Sequence, residues 1–299
     1  MSTHPPLRTR QWSDLTTTDF ARLDIDRVIA VLPLGATEQH GPHLPLSVDG
    51  NLAHGILAEA SKHLPADLPA LFLPVQRVGF SPEHTAFWGT LSLKAETVIR
   101  LWTDIAESVS ASGVKKLLLF NTHGGNAALL DVVARDLRQR LNLLVYSCSW
   151  FNLPLLDAQG KDVMQRIAPE EQRFGVHGGQ VETAMMLAIK PRLVRISRAA
   201  AFESAAQERA RDFPLLGNGK SAKLAWAAQD LNLAGAAGNA AAATVEDGCA
   251  LIDAAGRALA QLLREMDRLP PTTLREYKPP RAPLKAAAAP ARAGHATED

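Results

Sequence analysis

Residues 31–49 read VLPLGATEQHGPHLPLSVD, an apolar run that passes directly into a polar loop. The run begins at Val28, and an uninterrupted apolar stretch of this length is typical of a strand buried on both faces of a sheet. The loop after it carries Glu38, His40, His43 and Asp49. Because side chains two residues apart in extended backbone point the same way, Glu38 and His40 can face one point.

The polar loop admits two interpretations. Carboxylates beside imidazoles, with no cysteine nearby, suit zinc, manganese or iron(II) bound through nitrogen and oxygen. The same residues would also serve in a polar connection in which Asp49 caps a helix predicted to run to about residue 63. Two later parts of the sequence are needed to choose between these interpretations.

Apolar strands alternate with amphipathic helices along much of the chain. Strands are predicted at residues 28–34, 70–75, 116–120 and 143–148, and helices at 49–63, 95–112, 129–141 and 245–266, with a further helix beginning within 176–189. This alternation predicts an α/β fold with three αβα layers and a mainly parallel central sheet. Ligands of such sheets bind at the carboxyl ends of the strands, where residues 38–40 and His123 lie.

The composition of the 299-residue chain narrows the class of protein. A formal net charge of +1 and the absence of a Lys/Arg cluster argue against a nucleic-acid partner. Cys148 and Cys249 are far apart, which predicts neither a disulfide framework nor a thiolate metal site. No apolar stretch is long enough to span a bilayer, and the N-terminal residues lack a signal-peptide core. We therefore expect a soluble, cytoplasmic protein with no membrane partner.

Domain organisation follows from the same composition. Residues 1–270 are predicted to form a single domain, since neither an internal repeat nor a linker interrupts them. From residue 271 onward Pro, Ala and Arg dominate, and such a segment buries too little apolar surface to order itself. Residues 271–299 are therefore predicted to be an extended or flexible tail.

The first later motif is the sequence NTHGGN at residues 121–126, where a predicted strand turns into a helix. It holds His123, and Gly124 and Gly125 permit close approach of a ligand to the backbone. Neither phosphate-binding glycine pattern is present, so a phosphate cradle is not indicated. Asn126 has the alternative role of capping the following helix.

The second later feature of the sequence is Glu182, which lies on a largely apolar predicted helix with no Lys or Arg within one turn. A carboxylate in such a helix commonly lies on the solvated face. If it is buried, its charge costs several kcal/mol unless a positive group meets it, and a metal ion would serve. His177 precedes the same helix and can reach the same cleft.

Four motifs in this order, TEQHGPHLPLSVD (37–49), GFSPEHTAFWGTLSL (79–93), NTHGGN (121–126) and HGGQVET (177–183), resemble the creatininase (creatinine amidohydrolase) family. The resemblance spans residues 28–190, with a weaker echo at 236–248. It implies a two-metal site in which Glu38 binds one metal, His40 the other, and Asp49 bridges them, with His123 as a further ligand.

The resemblance also exposes one departure from creatininase itself, which has a Tyr-Glu pair where this chain has Gly124 and Gly125. Relatives with the Gly-Gly form use the glutamate of the HxGxxET motif, so Glu182 becomes the fifth ligand. His177 matches the proton-transfer histidine proposed for the family. We also expect Ser81, Gly124 and Gly125 to contact the substrate.

Charge counting agrees with this ligand set. Three carboxylates and two neutral imidazoles leave two divalent ions with one positive charge in excess, which a bridging hydroxide would neutralise. The predicted reaction is attack of that hydroxide on an amide or cyclic-amide carbonyl, with His177 passing the proton to the leaving nitrogen. Zinc is the preferred metal, with manganese or iron as alternatives.

The sequence therefore predicts a metal-dependent amidohydrolase acting on a small amide, and the resemblance implies a homo-oligomer, often a hexamer. Alternative reactions are creatinine hydrolysis, deformylation of a formamidopyrimidine nucleotide and cleavage of a small peptide. The missing Tyr-Glu pair counts against creatinine as the substrate. A nucleotide would need Lys or Arg to bind its phosphate, and the motif loops contain only Arg77. A non-catalytic metal- or ligand-binding protein on the same fold is the alternative from another class.

Overall fold

The computed structural model describes residues 7–277. One compact unit ends at Leu269, and a second unit begins at Pro270, of which the described part holds a single 3-10 turn, Pro271–Thr273. Most of the predicted tail, residues 278–299, lies outside the described part of the chain. The division into a 1–270 domain and a 271–299 tail thus stays a prediction.

A parallel sheet of four strands forms the centre of the larger unit. The strands are β1 Ile29–Leu34, β2 Ala70–Phe72, β3 Lys116–Asn121 and β4 Leu144–Ser149, in the order β2-β1-β3-β4. Two short strands, β5 Ala201–Phe202 and β6 Gly238–Asn239, form a separate antiparallel pair. The prediction of a mainly parallel central sheet is confirmed.

Helices cover both faces of this sheet. They are α1 Thr17–Phe20, α2 Val48–His63, α3 Ala95–Ala111, α4 Ala127–Leu141, α5 Pro169–Phe174, α6 Gln180–Ile189, α7 Ala206–Asp212 and α8 Val245–Arg268. Buried residues of α2, α6 and α8 pack on one face, and those of α3 and α4 pack on the other. The three αβα layers predicted from the sequence are confirmed. Among the described residues, no helix is both long and apolar enough to cross a membrane.

Helices cover both faces of β1, which explains why this strand is apolar at every position. Ile29 and Val31 belong to the core beneath α2, α6 and α8, whereas Ala30 and Leu32 belong to the core beneath α3 and α4. Successive side chains of a strand point to opposite faces, so a sheet covered on both sides requires apolar residues throughout.

The start of α2 differs from the prediction that Asp49 caps it. The helix begins at Val48, and the capping position falls on Ser47, whose side chain makes no capping hydrogen bond. Asp49 is therefore the second residue of the helix, and its carboxylate is buried. The capping interpretation is wrong, and the carboxylate is free to make other contacts.

The strand order also creates the crevice in which ligands of this type of sheet bind. From β1 the chain moves to β2 on one side and then to β3 on the other, so the connections diverge at the ends of β1 and β3. In open α/β sheets this switch point leaves a crevice at the carboxyl ends of the strands. Residues 38–40 follow β1, and His123 follows β3.

Candidate metal centre

Four of the predicted metal ligands meet in this crevice. Glu38, His40, Asp49 and His123 are each no more than 4% exposed. Nδ1 of His123 lies 3.2 Å from Oε1 of Glu38 and 3.4 Å from Oδ2 of Asp49. On the other side, Nε2 of His40 lies 3.6 Å from Oδ1 of Asp49. The two oxygens of Asp49 thus face two different histidines.

Glu182, the fifth predicted ligand, is in the first turn of α6. Its Oε1 lies 3.9 Å from Nε2 of His40, and its side chain is 18% exposed. The backbone N–H of Gly178 donates to its Oε2 at 2.6 Å. The start of a helix favours a negative charge, because the backbone N–H groups there are unpaired and the helix dipole is positive. Glu182 therefore faces His40 and the crevice.

The donor set fits a divalent cation. Glu38 Oε2, His40 Nε2 and Asp49 Oδ2 are buried and have no hydrogen-bond partner among the described residues. Ligand atoms of His40, Asp49 and Glu182 lie within 4.8 Å of one another, as do those of Glu38, Glu83 and His123. Buried polar atoms without partners are costly, and a cation bound to them would remove that cost.

The two histidines predicted to be ligands, His40 and His123, are oriented by hydrogen bonds to the backbone. Nδ1 of His40 donates to the carbonyl oxygen of Glu38 at 3.0 Å, which leaves Nε2 without a proton in the neutral ring. Nε2 of His123 donates to the carbonyl oxygen of Phe80 at 2.9 Å, which leaves Nδ1 facing Glu38 and Asp49. Such contacts fix the tautomer and ring plane of metal-binding histidines.

Without a metal, protons compensate the clustered carboxylates. Burial alone would lower the pKa of His40, but Asp49 and Glu182 raise it to about 9. Burial likewise lowers the pKa of His123, but the nearby carboxylate of Glu38 raises it to about 10. Burial raises the pKa of Asp49 to about 6. The site thus holds positive charge where a metal would provide it.

His177 lies next to these groups, but its pKa is lowered, whereas those of His40 and His123 are raised. Its Nε2 donates to the carbonyl oxygen of Gln39 at 2.6 Å, and its Nδ1 lies 3.8 Å from Oε1 of Glu38. Burial, followed by the nearby charge of His40, lowers the pKa of His177 to about 4. A neutral ring held in this way presents an unprotonated Nδ1 to the crevice. Its ring stacks on that of His84 and packs at a tilt against that of His40, with centroids 4.1 and 4.2 Å away.

A cavity of about 950 Å³ opens in front of the ligands. Its walls are largely apolar and include Trp150, Phe151, Leu153, Leu155, Met164, Val176, Val181, Leu224 and Trp226. Acidic residues and histidines line it as well, but none of the described residues that line it is Lys or Arg. Its volume is at the upper end of the range for small-molecule sites.

This arrangement can be compared with known proteins. A family model described as "Creatinine amidohydrolase" matches residues 13–263. The chain belongs to the creatininase family. The resemblance seen in the four sequence motifs is thereby confirmed.

Curated members of the creatininase family align with about half to two thirds of the chain. The mycofactocin precursor peptide peptidase of Mycobacterium tuberculosis is 33% identical over 175 residues, which cover 56% of this chain and 61% of that protein. The creatinine amidohydrolase of Pseudomonas putida is 29% identical over 193 residues, covering 60% of this chain and 70% of that protein. The alignment therefore spans less than two thirds of the mycobacterial relative.

Solved creatininase structures share the fold over nearly their whole length. A crystal structure of creatinine amidohydrolase aligns with a TM-score of 0.71 and 25% identity, covering 88% of this chain and 100% of that one. Similar neighbours are described as "Creatininase Mn" and as a Zn-Zn form of a creatininase mutant. Creatininases described with metals are thus structurally similar to this chain, and its own residues form clusters that could hold a metal ion.

The three predicted substrate contacts of this family member lie in two different places. Gly124 and Gly125 line the cavity. Ser81 is fully buried behind His123, with its Oγ 3.2 Å from His123 Nε2, and is not among the residues that line the cavity. A direct contact between Ser81 and substrate stays a prediction. Trp150 is buried and lines the cavity, whereas Trp88, in the motif 79–93, is 98% exposed.

The sequence did not single out two residues of the cavity wall. Glu83 lines the cavity with its Oε1 3.8 Å from Nε2 of His123. Its position in the motif 79–93, directly before His84, was the available signal. Trp226 sets its ring edge-on to His84 at 6.1 Å, and it comes from an Ala-rich stretch without a recognisable motif.

Proposed function

We propose that this protein is a metal-dependent amidohydrolase that cleaves the C–N bond of an amide or cyclic amide. The observation that carries the proposal is the position of Asp49, whose two oxygens face His40 and His123 beside a cavity that Asp49 and His123 line. Carboxylate and imidazole donors arranged around a shared carboxylate suit a pair of divalent ions.

Each ion would have three protein ligands. Glu38, Asp49 and His123 would hold one, and His40, Asp49 and Glu182 the other. Two divalent ions at this place would supply a water nucleophile of lowered pKa and a Lewis acid for the substrate carbonyl. Zinc remains the preferred metal, with manganese or iron as alternatives.

Proton transfer is assigned to His177. Its Nε2–H is tied to the carbonyl oxygen of Gln39, so the ring cannot present that nitrogen to a substrate. The free nitrogen, Nδ1, faces the crevice near Glu38 and can take a proton and pass it to the leaving nitrogen. A pKa lowered to about 4 keeps this base unprotonated at neutral pH.

The backbone of the turn Gly124–Asn126 is assigned to the substrate oxyanion. This 3-10 turn starts directly after His123, and its first N–H groups have no partner within the turn. Gly124 and Gly125 line the cavity, which supports their N–H groups as donors to a carbonyl oxygen that gains charge.

The cavity supports an uncharged or cationic substrate with a large apolar group. A nucleotide would require positive groups for its phosphate, but Arg77 lines a different cavity beside Gln11 and His54. Deformylation of a formamidopyrimidine nucleotide is therefore the least supported of the alternatives. Cleavage of a short peptide is the second candidate, because a cavity of about 950 Å³ exceeds what creatinine would fill.

The metal donors alone do not separate an enzyme from a metal-binding protein on the same fold. Activity assays after adding zinc or manganese separate the enzyme from the binding protein. The test substrates are creatinine, small primary amides, cyclic amides and short apolar peptides. We expect hydrolysis of an apolar amide or peptide. Bound metal without turnover of any member would support the binding protein, and the absence of bound metal would contradict the proposal.

The variant His177→Ala tests the mechanism on the same preparation. Its turnover should fall by about 10²–10⁴-fold, the usual contribution of a general acid or base, and its metal content should match the wild type. Loss of one metal would make His177 a ligand. Equal turnover would remove it from proton transfer.

Three further properties belong to the proposal, and among them self-association rests on the family resemblance alone. The first is self-association into a homo-oligomer, often a hexamer in this family. The others are a cytoplasmic location and a small-molecule amide as the substrate. Analytical ultracentrifugation of the purified chain decides the first.

A further inference from the structure

Gln39, between the proposed ligands Glu38 and His40, is buried, and its side-chain amide contacts Gly41, Gly235 and His84. Its Oε1 accepts the backbone N–H of Gly41 at 2.9 Å, and its Nε2 donates to the carbonyl oxygen of Gly235 at 2.7 Å. A backbone N–H can only donate and a carbonyl can only accept. These two contacts therefore fix which end of the amide is nitrogen.

The same amide nitrogen faces the ring of His84. Nε2 of Gln39 lies 2.8 Å from Nδ1 of His84. Because an amide nitrogen only donates, Nδ1 of His84 must be the accepting nitrogen without a proton. The proton of the neutral ring is then on Nε2, which lies 3.4 Å from Oε1 of Glu38.

We propose that Gln39 is a positioning residue that holds His84 as an N–H donor to Glu38 and keeps His84 out of the metal ligand set. A histidine binds a metal through an unprotonated nitrogen, but the unprotonated nitrogen of His84 is directed at Gln39. The N–H of His84 instead faces the carboxylate of Glu38 at 3.4 Å, and partners of this kind help to orient metal ligands. The role of Glu38 rests on the proposed function, whereas the tautomer of His84 does not.

The surrounding residues keep the Gln39 amide in place. His177 donates its Nε2–H to the carbonyl oxygen of Gln39, and its ring stacks on His84 with centroids 4.1 Å apart. One residue thus orients two imidazoles, one through its side chain and one through its main chain. At Gly235, where φ is +82°, an added Cβ would collide with Oε1 of Gln39. The loop that closes over the amide therefore requires glycine at this position.

Neutron diffraction tests the tautomer directly. In crystals of the zinc-loaded protein exchanged into D2O, we expect deuterium on Nε2 of His84 and none on its Nδ1. Deuterium on Nδ1 would overturn the proposal. The measurement reads a proton position, so its outcome is independent of whether the protein hydrolyses any amide.

The variant Gln39→Glu tests the consequence for the metal centre. Its side chain has nearly the same shape, but an ionised carboxylate cannot donate to Nδ1 of His84. The ring then donates from Nδ1, and it faces Glu38 either with an unprotonated Nε2 or, as an imidazolium, with an added positive charge; both states oppose metal binding at Glu38. Zinc affinity, measured by competition with a chelator, should fall about 10–100-fold, as is usual for partners of metal ligands.

The matched control is Gln159→Glu, which makes the same chemical change in an exposed turn. Its zinc affinity should equal that of the wild type. Wild-type zinc affinity in a folded Gln39→Glu protein would overturn the proposal. If Gln39→Glu fails to fold, the uncharged variant Gln39→Met removes the donor without adding charge, and the same comparison applies.

Discussion

At the scale of single residues, Asp49 and Glu182 differ in how many partners they face. Asp49 offers one oxygen to His40 and the other to His123. Glu182 offers Oε1 to His40 and gives its other oxygen to the backbone N–H of Gly178. In the proposed centre Asp49 would therefore bridge two ions, whereas Glu182 would bind one.

The change Glu182→Gln should remove one metal ion and spare the other. The amide keeps the shape of the side chain but loses its charge. We expect about half the wild-type metal content per chain by elemental analysis after mild purification. Glu170→Gln, on an exposed glutamate of α5, serves as the control and should keep the wild-type content. Wild-type content in Glu182→Gln would restore the interpretation of Glu182 as part of a solvated helix face.

Metal binding should release protons from the two ligand histidines. In the folded, metal-free protein the pKa of His40 is about 9 and that of His123 about 10, against an ordinary value of about 6.5. Both rings are thus protonated at pH 7.5 and must lose their protons to bind a metal. Titration calorimetry in buffers of different ionisation enthalpy should show about two protons released per chain at pH 7.5, and about three where a bound water also ionises to hydroxide. Release of less than one would contradict the assignment.

The sign of the accompanying pH effects follows from the raised pKa values. Protonated His40 and His123 stabilise the metal-free protein fully below about pH 6.5. This contribution is lost as the pH rises through about 9 and 10, the pKa values of the folded state. Over the same range fewer protons have to be displaced, so the apparent affinity for metal should increase.

At the scale of elements, the turn between β3 and α4 places His123 against the motif 79–93. A Cβ added at Gly125 would lie 2.5 Å from Oε1 of Glu83 and would also meet the carbonyl oxygen of Phe80, whereas one added at Gly124 would meet nothing within 4 Å. The turn therefore requires glycine at only one of the two positions.

Gly125→Ala should consequently destabilise the protein by about 1–3 kcal/mol, the usual cost of overpacking. Gly124→Ala, one residue away, is the matched control and should lie within about 0.5 kcal/mol of the wild type, as is usual for substitutions that meet no neighbour. Denaturant unfolding of both variants makes the comparison. Equal stability of the two alanine variants would contradict the close approach of Phe80 and Glu83 to Gly125.

The elements themselves could be predicted from the sequence, because apolar periodicity reports which faces are buried. All four strands of the sheet were located, and β2 ends at Phe72, earlier than predicted, ahead of Pro74, which has no N–H to give to the sheet. The start of α2 was misplaced by one residue, which was enough to turn Asp49 from a predicted cap into a buried carboxylate.

The contacts of Gln39 could not be predicted in this way. Its partners His84 and Gly235 are 45 and 196 residues away in the chain. Local patterns carry no information about such pairs, and a lone glutamine between two ligands has no periodicity to interpret. Only the family resemblance brought the distant motifs together before the structure did.

At the scale of the whole molecule, four separate segments meet at the end of one sheet. The loops after β1 and β3, the start of α2 and the start of α6 each contribute part of the centre. Trp150, directly after β4, continues the cavity wall next to the turn that carries His123. The order of the motifs predicts the family and its fold, but the apolar lining and the lack of Lys and Arg among the described lining residues depend on how these segments assemble.

The arrangement of all these segments around Asp49 can be tested by anomalous diffraction at the zinc absorption edge from crystals grown with zinc. We expect two anomalous peaks per chain, one among Glu38, Asp49 and His123 and one among His40, Asp49 and Glu182. Both peaks should contact the carboxylate of Asp49. A single peak, or two peaks that do not share Asp49, would contradict the proposed centre.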